Sequence, residues 1–383
     1  MNSKVKAFIK KRFPGLSRII INIKQSVGKV IAFQSFPKFR RASSGISVFY
    51  LTDNYPQRPP TRKEYAHGGR VKMVYLAEAF PHSFPSANIL YAVSSVGHPL
   101  SAQIVAKAKQ KKLKIIVNQN GVAYPACLGL GWENTNQLLK TTIDQADYIV
   151  YQSRFCQISA ERFLSPPSVP SEILYNPVDT HHFVPIPFSK KPKNLTLLLG
   201  GNQYERYRLE LAIRTLKALQ NEAPEARLIV TGSLWSPIQE AHIVVRKLLN
   251  DLDLTEKVTF TGSYTQNQAP MIFTQAHVLL HTKYNDPSPN LISEAMSCGL
   301  PVAYLQCGGV PELVMDAGVG VPVEESWEQI NLPDSDEMGK AVLQIMSHFE
   351  EFSANARERA INQFSLKSFI EKHRRIFEKV LES

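Results

Sequence analysis

Residues 286–312 read DPSPNLISEAMSCGLPVAYLQCGGVPE, and this stretch decides the fold. Upstream of it, Ala276 to His281 is a short apolar run of strand type. Pro287 and Pro289 mark a loop, Asn290 stands where a helix cap is expected, Leu291 to Cys298 reads as helix, and Pro301 to Tyr304 reads as the next strand. A strand, a helix and a strand of these lengths make a crossover unit of a parallel sheet, which gathers ligands at the carboxyl ends of its strands. The amino end of such a helix offers free amides and the positive pole of the helix dipole, a seat for an anion such as a diphosphate. Asp286 in the loop and Glu294 in the first turns cannot bind phosphate themselves, but they can accept hydrogen bonds from sugar hydroxyls. A phosphate seat between two hydroxyl-reading carboxylates has the layout of a nucleotide diphosphate sugar.

The same alternation extends through the chain. Strands are expected at Ile46–Leu51, Ile89–Val93, Lys114–Asn118, Tyr148–Gln152 and Ile173–Tyr175, with helices at Val71–Phe80 and Ala102–Lys112. A Pro- and Lys-rich segment, Pro185 to Asn194, reads as a linker. A second series follows, with strands at Leu195–Leu199, Arg227–Thr231 and Val258–Phe260, helices at Arg208–Gln220 and Glu240–Leu249, and a closing helix at Leu366–Leu381. At 383 residues the chain exceeds the roughly 250–300 at which single cores stop growing. The expectation is an α/β protein with two doubly wound, Rossmann-like domains facing across a cleft: a leader at 1–44, a first domain at 45–187, a second at 188–363 and a C-terminal helix at 364–383.

The motif resembles that of the retaining glycosyltransferases of family 4 (group 1), which have the GT-B fold. Asp286 and Glu294 carry the paired-acid spacing, followed by Ala295-Met296, Gly299-Leu300-Pro301-Val302 and Gly308-Gly309-Val310-Pro311-Glu312. Asn176-Pro177-Val178-Asp179, with Phe183 and Pro185, is similar to the family's domain junction. The resemblance implies that Glu294 grips the donor ribose and that Asp286 contacts the donor sugar and steadies charge at its anomeric carbon. It implies that the amides of Ser288, Asn290 and Leu291, with Gly309, meet the sugar and diphosphate, and that Gly68 and Gly69 form the glycine loop after the first strand. It also implies a reaction that retains anomeric configuration and needs no metal or cofactor beyond the donor. The chain departs from the pattern in several places. The first acid is Asp, Pro289 lacks an amide donor, and Asn120-Gly121 replaces a His-Gly. Asn202 and Tyr207 stand where an Arg and a Lys are usual, which leaves Arg206 or Arg208 to pair with the diphosphate.

Charge separates a tail from a body. Met1 to Ser44 holds 11 basic residues and no acid, leaving 33 basic and 33 acidic residues for the other 339 positions. A balanced body argues against a nucleic-acid-binding face. The leader places apolar residues at helical spacing (Val5, Phe8, Ile9, then Leu16, Ile19, Ile20, Ile23) with Lys and Arg between them, a pattern suited to an anionic membrane surface. A solvated or core-docked leader and a transit peptide are the alternatives. No run reaches the ~20 apolar residues of a spanning helix. Four scattered cysteines argue against a zinc site or a disulfide framework. The expected setting is cytoplasmic, peripheral on the inner face of a membrane. The expected partners are a nucleotide sugar donor and a glycan or lipid-linked acceptor, with no nucleic acid. Loops 57–70 and 123–133 are the expected acceptor side, and His98 is a further candidate there. Asp251/Asp253 and Asp334/Asp336, which imitate metal-binding acid pairs, read as solvated loop acids. The competing functions are an epimerase or phosphorylase on the same fold, or a non-catalytic binding protein.

Overall fold

The computed structural model describes residues 38–53, 58–61, 68–98 and 100–383. The amphipathic pattern within residues 1–37 and parts of the 57–70 loop lie outside them. The first sheet comprises β1 (Val48–Leu51), β2 (Ile89–Val93), β3 (Lys114–Gln119), β4 (Tyr148–Tyr151) and β5 (Ser171–Ile173), all parallel and in that spatial order. Alternate residues serve two cores. Phe49, Leu51, Ile115 and Val117 pack against α2 (Ser101–Gln110) and against residues of helices Trp132–Ile143 (α3) and Arg154–Phe163 (α4). Tyr50, Tyr91 and Ile116 pack with Met73 and Leu76 of α1 (Gly69–Ala79), giving the near-continuous apolar strands of a doubly covered sheet.

The second sheet contains β6 (Thr196–Leu199), β7 (Arg227–Thr231), β8 (Val258–Gly262), β9 (Val278–His281), β10 (Val302–Gln306) and β11 (Gly318–Pro322), in the order β8-β7-β6-β9-β10-β11. This is the Rossmann order, whose direction reverses between β6 and β9 and opens a crevice there. Helices α5 (Arg206–Ala218), α6 (Ile238–Asp251) and α9 (Ser335–Ser347) cover one face. The other is covered by α7 (Asn290–Ser297), α8 (Val310–Val314) and α10 (Phe349–Phe364). The two sheet units, here called lobes, together form the GT-B architecture.

The final helix, α11 (Leu366–Glu382), returns to the first lobe, where Phe369, Ile376, Phe377 and Val380 join the α1 core. At the crossing, Val178 N–H donates to the Phe364 carbonyl at 2.8 Å and Leu366 N–H to that of Val178 at 3.1 Å. The other end of the chain also enters the first lobe. Phe39 is buried edge-on against Phe49 at 4.9 Å, and Arg40-Arg41 pairs in parallel with Ser86-Ala87. Among the described residues no helix is long and apolar enough to cross a membrane.

Candidate active site

β6 and β9 end at the crevice in Leu199 and His281. Beyond β6 lies Gly200-Gly201; beyond β9 the chain turns through Asn285, whose φ of 49° is left-handed, into Asp286 and the start of α7. The resulting cleft of ≈ 470 Å³ takes Gly68, Gly69, Ser95, Asn120, Gln152 and Asn176 from the first lobe. The second lobe contributes Gly200, Gly201, Arg208, Lys283, Asp286 to Leu291, and Glu294. The volume lies within the range of small-ligand sites.

The two acids have opposite electrostatics. Burial alone would raise the Asp286 pKa, but Lys283 (3.9 Å), His281 (3.3 Å) and Arg208 hold it well below the usual carboxylate range. Glu294 is buried with one side-chain partner, Gln266, whose amide donates at 2.9 Å, and desolvation pushes its pKa up to about 7. His281 is lowered by burial and only partly restored by Asp286. One end of the site thus keeps a fixed negative charge between cations, and the other holds a carboxyl that titrates near neutrality.

Residues 185–360 match the family model described as "Glycosyl transferases group 1". This segment belongs to the group 1 glycosyltransferases. A relative from Schizosaccharomyces pombe, the phosphatidylinositol N-acetylglucosaminyltransferase gpi3 subunit, is 25% identical over 182 residues, covering 47% of this chain but only 38% of that protein. Sucrose-phosphate synthase from Thermosynechococcus elongatus superposes with a TM-score of 0.69 at 15% identity, over 90% of this chain and 99% of that one. Anabaena HepE in complex with UDP and glucose gives 0.65 at 14% identity, over 87% and 100%.

Within this glycosyltransferase segment and the lobe facing it, Gly68, Gly69, Arg208, Ser288, Asn290, Leu291, Asp286 and Glu294 all line the cleft. Arg206 does not: it lies on the outer face of α5, paired with Glu210 at 2.6 Å. It stands two positions before Arg208, and side chains two apart on a helix point to different sides. Arg208 is buried, donates to the Asn202 carbonyl at 2.6 Å and lies 3.6 Å from Glu205. Gly309 also lies outside the cleft, behind the loop. Its N–H donates to the Asp286 carbonyl at 2.9 Å, and a Cβ there would stand 2.0 Å from the Pro287 carbonyl oxygen. Asn290 is the first helical residue rather than the cap, a place taken by Pro289, and its amide instead reaches across the cleft to the Gly68 carbonyl at 3.2 Å. His98 folds back onto its own loop, accepting from Leu100 N–H at 3.1 Å. Asp334 caps α9, accepting from Asp336 N–H at 3.1 Å.

Sequence reading missed Lys283, His281, Gln266 and Gln152. Lys283 and His281 flank the motif by only a few residues, so the signal was a cation at a strand end pointing to an anion. Gln266 and Gln152 carry no spacing that reveals them. Among the described residues no three His, Cys, Asp or Glu side chains gather as a metal site would need.

Proposed function

We propose that the protein is a retaining glycosyltransferase that moves a hexose-type sugar from a nucleotide diphosphate sugar to a hydroxyl acceptor. The observation that carries this reading is the ionised Asp286, held between Lys283, His281 and Arg208, on the cleft wall that leads to Glu294 through the amino end of α7. The relative named for N-acetylglucosaminyl transfer and the neighbour holding UDP and glucose support a nucleotide sugar as donor.

In this scheme the diphosphate sits against Arg208, Lys283 and the amino end of α7, where fixed positive charge favours its departure. The bond from the anomeric carbon to the phosphate oxygen breaks and the acceptor oxygen attacks from the same face. The departing oxygen takes the acceptor proton, so no side chain acts as base. Asp286 steadies positive charge at the anomeric carbon. Glu294 receives the ribose hydroxyls, whose hydrogen bonds favour its ionised form. Metal ions take no part, and the acceptor is a glycan or lipid-linked alcohol. Residues 1–44 hold the enzyme to an anionic membrane surface.

A panel of UDP, GDP and ADP sugars, scored for binding, hydrolysis and the anomeric configuration of the product, tests the reading. One donor should be turned over with retention, and both Asp286→Ala and Glu294→Ala should abolish transfer while remaining folded. Full turnover in either variant would overturn the site assignment. Acceptor-free interconversion of nucleotide sugars, or release of a sugar phosphate, would assign the fold to epimerase or phosphorylase chemistry.

A further inference from the structure

Glu312, which closes the Gly-Gly-Val-Pro-Glu motif, takes no part in the cleft. Its carboxylate reaches the other lobe, where Oε2 accepts from the N–H of Arg154 at 2.9 Å and Oε1 from that of Phe155 at 3.0 Å. These are the first two amides of α4, groups that a helix cannot satisfy internally. The next, Cys156 N–H, donates to Ser153 Oγ at 3.0 Å. The amino end of a first-lobe helix is therefore capped from the second lobe, with a negative charge at the positive pole of its dipole. The Tyr175 hydroxyl donates to the same carboxylate at 3.2 Å.

Phe155 is held a second time. Trp327, from the loop after β11, stacks on its ring at 5.0 Å and meets Tyr124 and Phe163 edge-on at 4.7 and 5.3 Å. The Trp327 carbonyl accepts from Ala126 N–H at 2.9 Å. The neighbouring Ser326 carbonyl accepts from the Asn285 amide at 3.0 Å, one residue before Asp286. With the lobes in this position, first-lobe side chains reach the donor loop directly. Tyr124 donates to the Asn285 carbonyl at 3.3 Å, Ser153 to that of Pro287 at 2.6 Å, and Asn176 to that of Ser288 at 2.9 Å.

We propose that Glu312 and Trp327 are positioning residues: they lock α4 and its aromatic neighbours to the second lobe, so that the first lobe completes the loop carrying Asp286. Neither touches substrate. The lock is independent of donor identity, whereas its kinetic consequence rests on the transfer reaction proposed above. Losing two charge-assisted bonds to backbone amides shifts a closed–open balance on the order of tenfold or more.

The test uses the full chain. Small-angle scattering of the wild type, Glu312→Ala and Trp327→Ala should show a larger radius of gyration in both variants, with Glu312→Gln, which keeps an acceptor oxygen, between them and the wild type. Trp327→Phe serves if Trp327→Ala fails to fold. With the donor found in the panel, kcat should fall on the order of tenfold while nucleotide affinity, set mainly in the second lobe, changes less than about threefold. Unchanged scattering in both variants overturns the lock. Increased scattering dimensions with an unchanged kcat overturn the positioning role. A wild type that transfers from no donor refutes the proposed activity and leaves the scattering result to decide the lock.

Discussion

A carboxyl buried beside a single amide resists ionisation, so Glu294 weakens the fold that presents it. In the unfolded chain it titrates near its ordinary 4.5, and in the fold near 7. Between those values the unfolded state has released a proton that the native state keeps. Stability from this group is therefore fully present below pH 4.5, falls as pH rises toward 7 and is flat beyond. Asp286 behaves oppositely: its contribution is present above the ordinary carboxylate value of 3.8 and is lost as pH falls below it. Glu294→Gln should accordingly abolish transfer yet exceed the wild type in stability by about 3 kcal/mol at pH 8, the gap closing by pH 4.5. Urea denaturation at the two pH values measures this, and equal gaps at both would refute the buried titration. The arginines separate as cleanly. Arg208→Lys replaces a buried guanidinium fork with a point charge and should lower kcat/KM on the order of tenfold. Arg206→Ala removes a pair whose arginine side chain is 56% exposed and should leave kcat/KM within about twofold. Steady-state kinetics on the two variants decides which arginine serves the donor.

At the scale of elements, Gly309 shows how the loop before α7 and the turn before α8 are interlocked. Any side chain at Gly309 meets the Pro287 carbonyl, which is backbone and cannot swing aside, and then Ser153 Oγ at 3.1 Å. Gly309→Ala should displace the Asp286 loop and weaken nucleotide binding on the order of tenfold, a loss that calorimetry with the free nucleotide reads directly. At Gly68 the constraint is conformational: φ is 54° with open space around the missing Cβ. The strands were legible because β-branched and apolar runs such as Ile115-Ile116-Val117 are bounded by polar turns; β2 and β7 keep the limits expected of them. Helices α3, α4, α9 and α10 were not read, although all four are long. In α3, α4 and α10 many buried positions are small or polar, such as Asn136 and Thr142 in α3 and Ala356 and Ala360 in α10, which blurs the apolar stripe, whereas α9 does carry one in Met338, Ala341, Val342 and Ile345. The acids and amides of the site were legible because their spacing along one strand, loop and helix is local. The roles of Glu312 and Trp327 escaped because their partners lie more than a hundred residues away. That of Gln152 escaped because its side-chain partners Asn118, Asn120 and Asn176 belong to other strand ends of the first lobe, where no periodicity of the sequence connects them.

At the scale of the whole molecule, charge is sorted by lobe. Residues 45–187 carry 13 basic and 9 acidic side chains and residues 364–383 carry 5 and 3, whereas residues 188–363 carry 15 and 21. The segments that build the first lobe are thus positive, and the glycosyltransferase segment negative, within a body that is neutral in sum. The basic N-terminal segment adjoins the positive lobe, because Phe39 and the Arg40-Arg41 ladder fix its end there. This places a limit on where that segment can be cut. Removing residues 1–44 would take away the buried Phe39 and part of the fold, while removing residues 1–37 spares both. The shorter deletion still discards 8 of the 11 basic residues and lowers the formal net charge from +11 to +3. At about 1 kcal/mol for each basic side chain near an anionic surface, the deletion removes most of the attraction that no acidic neighbour in sequence offsets. The chain lacking residues 1–37 should therefore lose binding to vesicles containing phosphatidylglycerol, keep its melting temperature, and transfer to a soluble acceptor at the rate of the full chain. Cosedimentation at low and high salt tests the proposal, since an electrostatic attachment weakens with salt. Undiminished vesicle binding by the shortened chain would move the membrane contact onto the first lobe itself.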